Sequence, residues 1–190
     1  MPPIDPALYA LPVAGLARAL IGCTLLVDGV GGLIVETEAY HAGDAASHSF
    51  AGPRARNALM FGPAGYAYVY RSYGLHWCMN VVGGAEHAAA VLIRALEPTQ
   101  GLEQMVARRG LGDPRLLCAG PGRLCQALGI SDALNGARLD APPFRLLARE
   151  AEPEIVAGPR VGITKAADEP WRFGLAGSRF LSRRFLPSHR

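Results

Sequence analysis

The 190-residue sequence predicts one α+β domain built on an antiparallel sheet. Three observations lead there. Strand-like segments come first, helical segments follow, and strand-like segments return, an order that favours α+β over alternating βαβ units. Tight turns join several of the strands, which suits antiparallel neighbours. Half of the residues are hydrophobic and 18% are charged, enough apolar side chains for a sizeable core in a chain of single-domain length.

Taken in order, residues 12–21 (PVAGLARALI) read as a short amphipathic helix that Gly22 ends. CTLLV and GGLIVETEAY read as strands joined by the hairpin turn DGVG. No helical pattern and no Lys-Ser/Thr follow the Gly-rich GVGG, so a turn is favoured over a phosphate loop. From His41 to Pro63 the chain is loop-like, and loops this long in compact domains are often functional. YAYVYRS and GLHWCMNVV read as two strands around Ser72-Tyr73-Gly74, and AAAVLIRALEP as a buried strand. TQGLEQMVARRG reads as a helix capped by Thr99 and stopped at Gly110, and GPGRLCQALGI as a second. FRLLARE, RVGIT and WRFGL read as closing strands. Residues 1–190 form one domain, with 1–11 and 182–190 as candidates for fraying.

Composition narrows the function. No apolar run reaches the roughly 18–20 residues of a spanning helix, and the N-terminus lacks a basic region before its apolar residues, so an intracellular soluble protein is expected. A net charge of +3 permits a nucleic-acid partner without demanding one. The four cysteines stand apart with no CxxC, which favours buried reduced thiols over a zinc site. The Ala, Gly, Pro and Arg richness fits a GC-rich bacterial genome.

Two stretches carry chemistry. In a strand, Glu36, Glu38 and Tyr40 of VETEAY share one face, opposite Val35, Thr37 and Ala39. Two carboxylates so placed repel each other, so one is protonated or a cation joins them. A solvent-facing polar strand and a site that activates water beside a planar ligand both fit this pattern. In YAYVYRSYG, Tyr66, Tyr68 and Tyr70 share a face; for Tyr66 and Tyr68 ordinary packing is the favoured reading. Tyr73, beside Gly74 at the hairpin tip, projects from the fold, as do the wedges that open duplexes.

At this point the chain resembles the alkyladenine (3-methyladenine) DNA glycosylases. The resemblance rests on LARALIG, VETEAY, DAASHS, RN..MFGP.G.AYVY..YG...CMNVV, VLIRALEP, GPGRLCQALGI and RVGI, in that order, from Leu16 to about Gly162. It implies an α+β single domain with a curved antiparallel β-sheet, a protruding β-hairpin and flanking helices, working without metal or cofactor on double-stranded DNA with damaged purines. It implies that Glu38 deprotonates the water that attacks C1′, with Glu36 structural and Arg94 helping to hold that water. By the same resemblance, Tyr40, His48 and Tyr70 would form the pocket for the flipped base, Asn80 would exclude normal guanine, and Tyr73 would be the intercalating wedge. Arg56 and Arg71 are candidate DNA-backbone contacts, alongside Arg54 in a loop that departs from the usual Thr-Pro of relatives. The only lysine, Lys165, lies outside every matched motif, so a hydrolytic enzyme without strand-nicking Schiff-base chemistry is expected.

Two rival readings remain: a sugar hydrolase using Glu36 and Glu38 as an acid–base pair, and a non-catalytic nucleic-acid binder that stacks bases on its aromatics. A cytoplasmic, nucleoid-associated monomer with no membrane partner completes the expectation.

Overall fold

A computed structural model of the chain describes residues 1–185. Its strands are β1 (Thr24–Val27), β2 (Val30–Tyr40), β3 (Ala67–Ser72), β4 (His76–Val82), β5 (Ala90–Gln100), β6 (Phe144–Leu147), β7 (Ile155–Gly158) and β8 (Arg172–Leu175). They form one antiparallel sheet in the order β3-β4-β5-β2-β1-β6, with β8 pairing β2 and β7 pairing β8. The sheet is curved, and β2 is its axis: one edge runs along β5, while the other pairs first with β1 and then, over Glu36–Glu38, with β8.

Three register shifts interrupt the β2–β5 ladder: the first leaves Thr99 as an extra residue on β5, between Gly31↔Gln100 and Gly32↔Pro98, and the other two bear on the site. The register passes from Ile34↔Leu96 to Glu36↔Ala95, leaving Val35 as an extra residue on β2, and then to Thr37↔Ile93, leaving Arg94 as an extra residue on β5. Bulges bend a strand and re-aim its side chains. Ile34 and Ala39 stay in the main core beneath α1 (Val13–Ala19), and the Thr37 hydroxyl donates to the Ala17 carbonyl at 2.9 Å. Val35 leaves that face and packs with Ala95 and Phe180, contrary to the simple alternation.

Helices cover the core side. α2 (Leu102–Arg109) and α4 (Pro121–Leu128) pack together, and α4 lies on β4 and β5. Thr99 is not a cap: it belongs to β5, and α2 starts after Gly101 and stops at Gly110 as the sequence indicates. A four-residue helix, α3 (Pro114–Leu117), is capped by the Asp113 side chain and has too few residues to show periodicity. The loop after His41 contains a 3-10 helix over Ala55–Phe61. RVGIT is not a strand; residues 160–164 are irregular, and β7 lies just before them.

Both described ends make contacts with the sheet. Pro3 bridges Leu147, Ile4 N–H donates to the Leu146 carbonyl at 3.1 Å, and a 3-10 turn follows over Pro6–Ala10. Residues 182–185 close on β2 and β8 through buried charged groups, which a count of surface arginines does not reveal; the rest of that stretch, 186–190, lies outside the described residues. No helix among the described residues is long and apolar enough to cross a membrane.

Candidate active site

Glu36 and Glu38 do share a face, and both are fully buried, which removes the solvent-facing reading. The cation that joins them is Arg94. Its Nε donates to Glu36 Oε1 at 2.9 Å and its Nη1 to Glu38 Oε2 at 3.2 Å. Burial disfavours the guanidinium's charge, but the two carboxylates more than offset it, Glu38 first, and its pKa rises. The bulge on β5 is what turns Arg94 to this side.

The carboxylates differ in their surroundings. Glu36 is saturated: Oε1 accepts from Arg94 Nε, from Arg172 Nε at 2.8 Å and from the Ser182 hydroxyl at 2.8 Å, and Oε2 accepts from Ser182 N–H at 2.6 Å. Glu38 Oε1 accepts from Val161 N–H at 2.7 Å, and Oε2 from the Tyr40 hydroxyl at 2.8 Å as well as from Arg94. Of the two, only Glu38 lines the large cavity, of about 800 Å³. Both bind one arginine from one strand face and cannot flank a sugar ring from opposite sides, which disfavours the glycoside-hydrolase reading.

Around that cavity stand Tyr40, His48, Tyr70, Asn80 and Arg94, with Tyr73, Arg56 and Arg71 on the side of the hairpin and loop, whereas Glu36 and Arg54 do not line it. Tyr40 is held by Arg160, whose guanidinium lies 4.7 Å from its ring centre and is itself locked to buried Asp44. Burial, then Glu38's charge, push the Tyr40 phenol far above its ordinary range, so it stays a donor to Glu38. Tyr70 stacks on Tyr68 at 5.4 Å, and His48 meets Tyr70 edge-on at 4.4 Å. His48 Nδ1 shares a 3.1 Å hydrogen bond with the Tyr68 hydroxyl, whose pKa burial raises to about 12. The His48 pKa is lowered, by burial first and then by Arg56, so the ring is neutral at pH 7. Asn57 ties the loop down by donating from Nδ2 to the His48 carbonyl at 2.7 Å. Asn80 Nδ2 donates to the Tyr68 carbonyl at 3.0 Å, which fixes its amide across the β3–β4 pair.

The hairpin tip has the opposite character. Tyr73 is 90% exposed and Leu75 71% exposed. Tyr73 and Gly74 both have positive φ, 50° and 68°, and Leu75 N–H donates to the Ser72 carbonyl at 3.0 Å. A type I′ turn needs two such residues, and Asn-Gly is its favoured pair. An aromatic there costs about 1–2 kcal/mol in backbone strain. Arg71 is exposed and lies 5.5 Å over the Trp77 ring. Arg54 and Arg56 are exposed on the 3-10 helix and its cap.

Several contributors escaped sequence reading. Tyr68 is both core and pocket wall, because β3 passes between the two. Val161 supplies a backbone N–H, which no side-chain pattern reports. Arg172 and Ser182 lie far along the chain, and only their contact with Glu36 marks them. The four cysteines are buried and free, as read, and Cys78 also lines the cavity.

A family model described as "Methylpurine-DNA glycosylase (MPG)" matches residues 7–179. The chain is 66% identical over 182 residues to a Rhodopseudomonas palustris protein, covering 95% of this chain and 90% of that one. It is 59% identical over 185 residues to one from Nitrosospira multiformis (97% and 94% covered) and 57% identical over 181 residues to one from Rhizobium meliloti (95% and 97%). All three bear the name "Putative 3-methyladenine DNA glycosylase".

Proposed function

The chain belongs to the methylpurine-DNA glycosylase family, and we propose that it flips alkylated purines out of duplex DNA and hydrolyses their N-glycosidic bond with a water activated by Glu38. The observation that carries this reading is a buried carboxylate at the wall of an aromatic-lined cavity of about 800 Å³, beside a hairpin that presents an exposed tyrosine. Substrates are 3-methyladenine and 7-methylguanine, with hypoxanthine and ethenoadenine as neutral candidates.

The steps follow from the groups. Tyr73 enters the stack and fills the space the damaged nucleotide leaves; flipping costs a few kcal/mol, least for a weakened pair. The purine lies against Tyr40, Tyr70 and His48. Aromatic faces favour a cationic base by about 1–2 kcal/mol when desolvated. Neutral His48 adds no competing positive charge. Asn80, held by its bond to Tyr68, crowds the exocyclic amino group of normal guanine. A water between Glu38 and Arg94 attacks C1′, Glu38 takes its proton, and the bond's electron pair leaves with the purine. An N3- or N7-alkylated purine departs neutral, so it needs no acid. An abasic site remains, with the strand intact. Arg56 and Arg71 contact phosphates, which makes binding salt-sensitive. The enzyme acts as a cytoplasmic, nucleoid-associated monomer.

The test is single-turnover base release from duplexes carrying 7-methylguanine, hypoxanthine or ethenoadenine, with normal A and G as controls. Abasic sites are read by hot alkali, and a portion is kept without alkali. Lesion-dependent release with no alkali-free strand breaks is expected. Tight lesion binding without release from any duplex would instead identify a non-catalytic lesion binder, and alkali-free breaks would overturn the purely hydrolytic chemistry.

A further inference from the structure

Arg94 has its donors divided among three acceptors. Nε serves Glu36, Nη1 serves Glu38, and Nη2 donates to the Ser182 hydroxyl at 3.1 Å. That hydroxyl in turn donates a hydrogen bond to Glu36 Oε1 at 2.8 Å, and the Ser182 N–H donates to Glu36 Oε2 at 2.6 Å. Ser182 therefore closes a ring through Glu36 and Arg94 on the side away from the cavity. It lies beyond residue 179, where the family match ends.

The segment that carries Ser182 is docked at both ends. Phe180 is buried against Val35, the extra residue on β2, and Ala95, the neighbour of the extra residue on β5. Arg172 donates to the Arg183 carbonyl, and its guanidinium lies 4.0 Å from the Phe185 ring centre. That ring sits in a notch floored by two glycines on adjacent strands. A Cβ at Gly174 would overlap it, and one at Gly158 would press on it at 3.1 Å. Neither glycine has a positive φ, so the notch, not the backbone, asks for them.

We propose that residues 180–185 form a strap that sets the Arg94 guanidinium for the reaction, with Ser182 as its positioning residue; this rests on the glycosylase reading above. Without the Ser182 hydroxyl, Nη2 is buried with no acceptor and Arg94 rotates toward Glu36 or Glu38. Either motion shifts the group facing the water by a fraction of an ångström, which is enough to slow a positioned reaction.

The experiment compares wild type, Ser182→Ala and Ser182→Thr in single-turnover release at saturating enzyme, with lesion-duplex Kd and thermal unfolding measured on the same samples. Ser182→Ala is expected to lower the rate about tenfold, the low end for losing a hydrogen bond to a charged group, with Kd changed less than about twofold. Ser182→Thr keeps the hydroxyl and restores most of the rate. In an Arg94→Gln background, Ser182→Ala should have no further effect. Phe185→Ala, which loosens the strap without touching Arg94, should lower the rate by less than Ser182→Ala. Wild-type rates in Ser182→Ala, no rescue by threonine, or full additivity with Arg94→Gln would each overturn the positioning role while leaving the glycosylase in place. Absence of release by wild type would defeat the function itself, and the positioning role with it.

Discussion

The hairpin tip and the carboxylate wall are close in space and opposite in physical design. At the tip, Tyr73 is almost wholly exposed and held at φ 50°. At the wall, Glu36, Glu38 and Arg94 are buried and hydrogen-bonded on nearly every polar atom. The tip combines an exposed aromatic ring with a backbone conformation that costs energy. The wall is organised in advance, so the reaction need not arrange it. The proposed function uses both, and the β3–β4 ladder carries the tip at one end and Asn80 of the cavity wall along its length.

Four perturbations would break or sharpen that contrast. The largest effect is expected at the wall: Glu38→Gln should reduce base release by about 10²–10⁴-fold while lesion-duplex binding persists. Unaltered release would move the base role to Glu36. Next, Glu36→Gln leaves Arg94 and Arg172 under-compensated and should cost about 3 kcal/mol of stability, read by urea unfolding. A midpoint equal to wild type would show that Glu36 holds no structural role.

At the tip the signs divide. Tyr73→Asn installs the favoured Asn-Gly turn and should stabilise the fold by about 0.5–1 kcal/mol. The same change should weaken lesion binding about tenfold, comparable to losing one stacked aromatic. Undiminished lesion affinity would remove Tyr73 from the DNA interface. The smallest effect concerns His48. Its folded pKa is depressed, so its contribution to stability is complete above the ordinary value of about 6.5 and is lost as pH falls through the depressed one. Protonation adds a positive charge to the cavity, so release of a cationic base should fall in that window more than release of hypoxanthine. Arg56→Gln removes the second cause of the shift and should move the ring titration, followed by NMR, upward. An unchanged titration would show that burial alone sets it.

Much of this was legible in the residues. Alternation and turn chemistry marked the hairpins from Thr24 to Tyr40 and from Ala67 to Val82, because strand period and tight turns are local properties. The sharing of one face by Glu36 and Glu38 was legible too, since no extra residue intervenes between them on β2. Tyr73 announced itself as an aromatic where a turn prefers asparagine. Other features were hidden. RVGIT has the composition of a strand, yet the chain there bends to bring Val161 N–H to Glu38. Thr99 has the chemistry of a cap, yet β5 runs through it, with Pro98 and Gln100 paired to Gly32 and Gly31 on either side.

The sequence by itself determined the antiparallel strands, the aromatic tip and the pairing of two carboxylates, because each depends on residues within a few positions of one another. Only the tertiary structure decided how those carboxylates differ. Two bulges re-aim Val35 and Arg94, and residues from β5, β8 and the strap converge on Glu36 while Glu38 keeps the cavity. That division depends on contacts between residues more than a hundred positions apart, which local propensity does not encode and packing does.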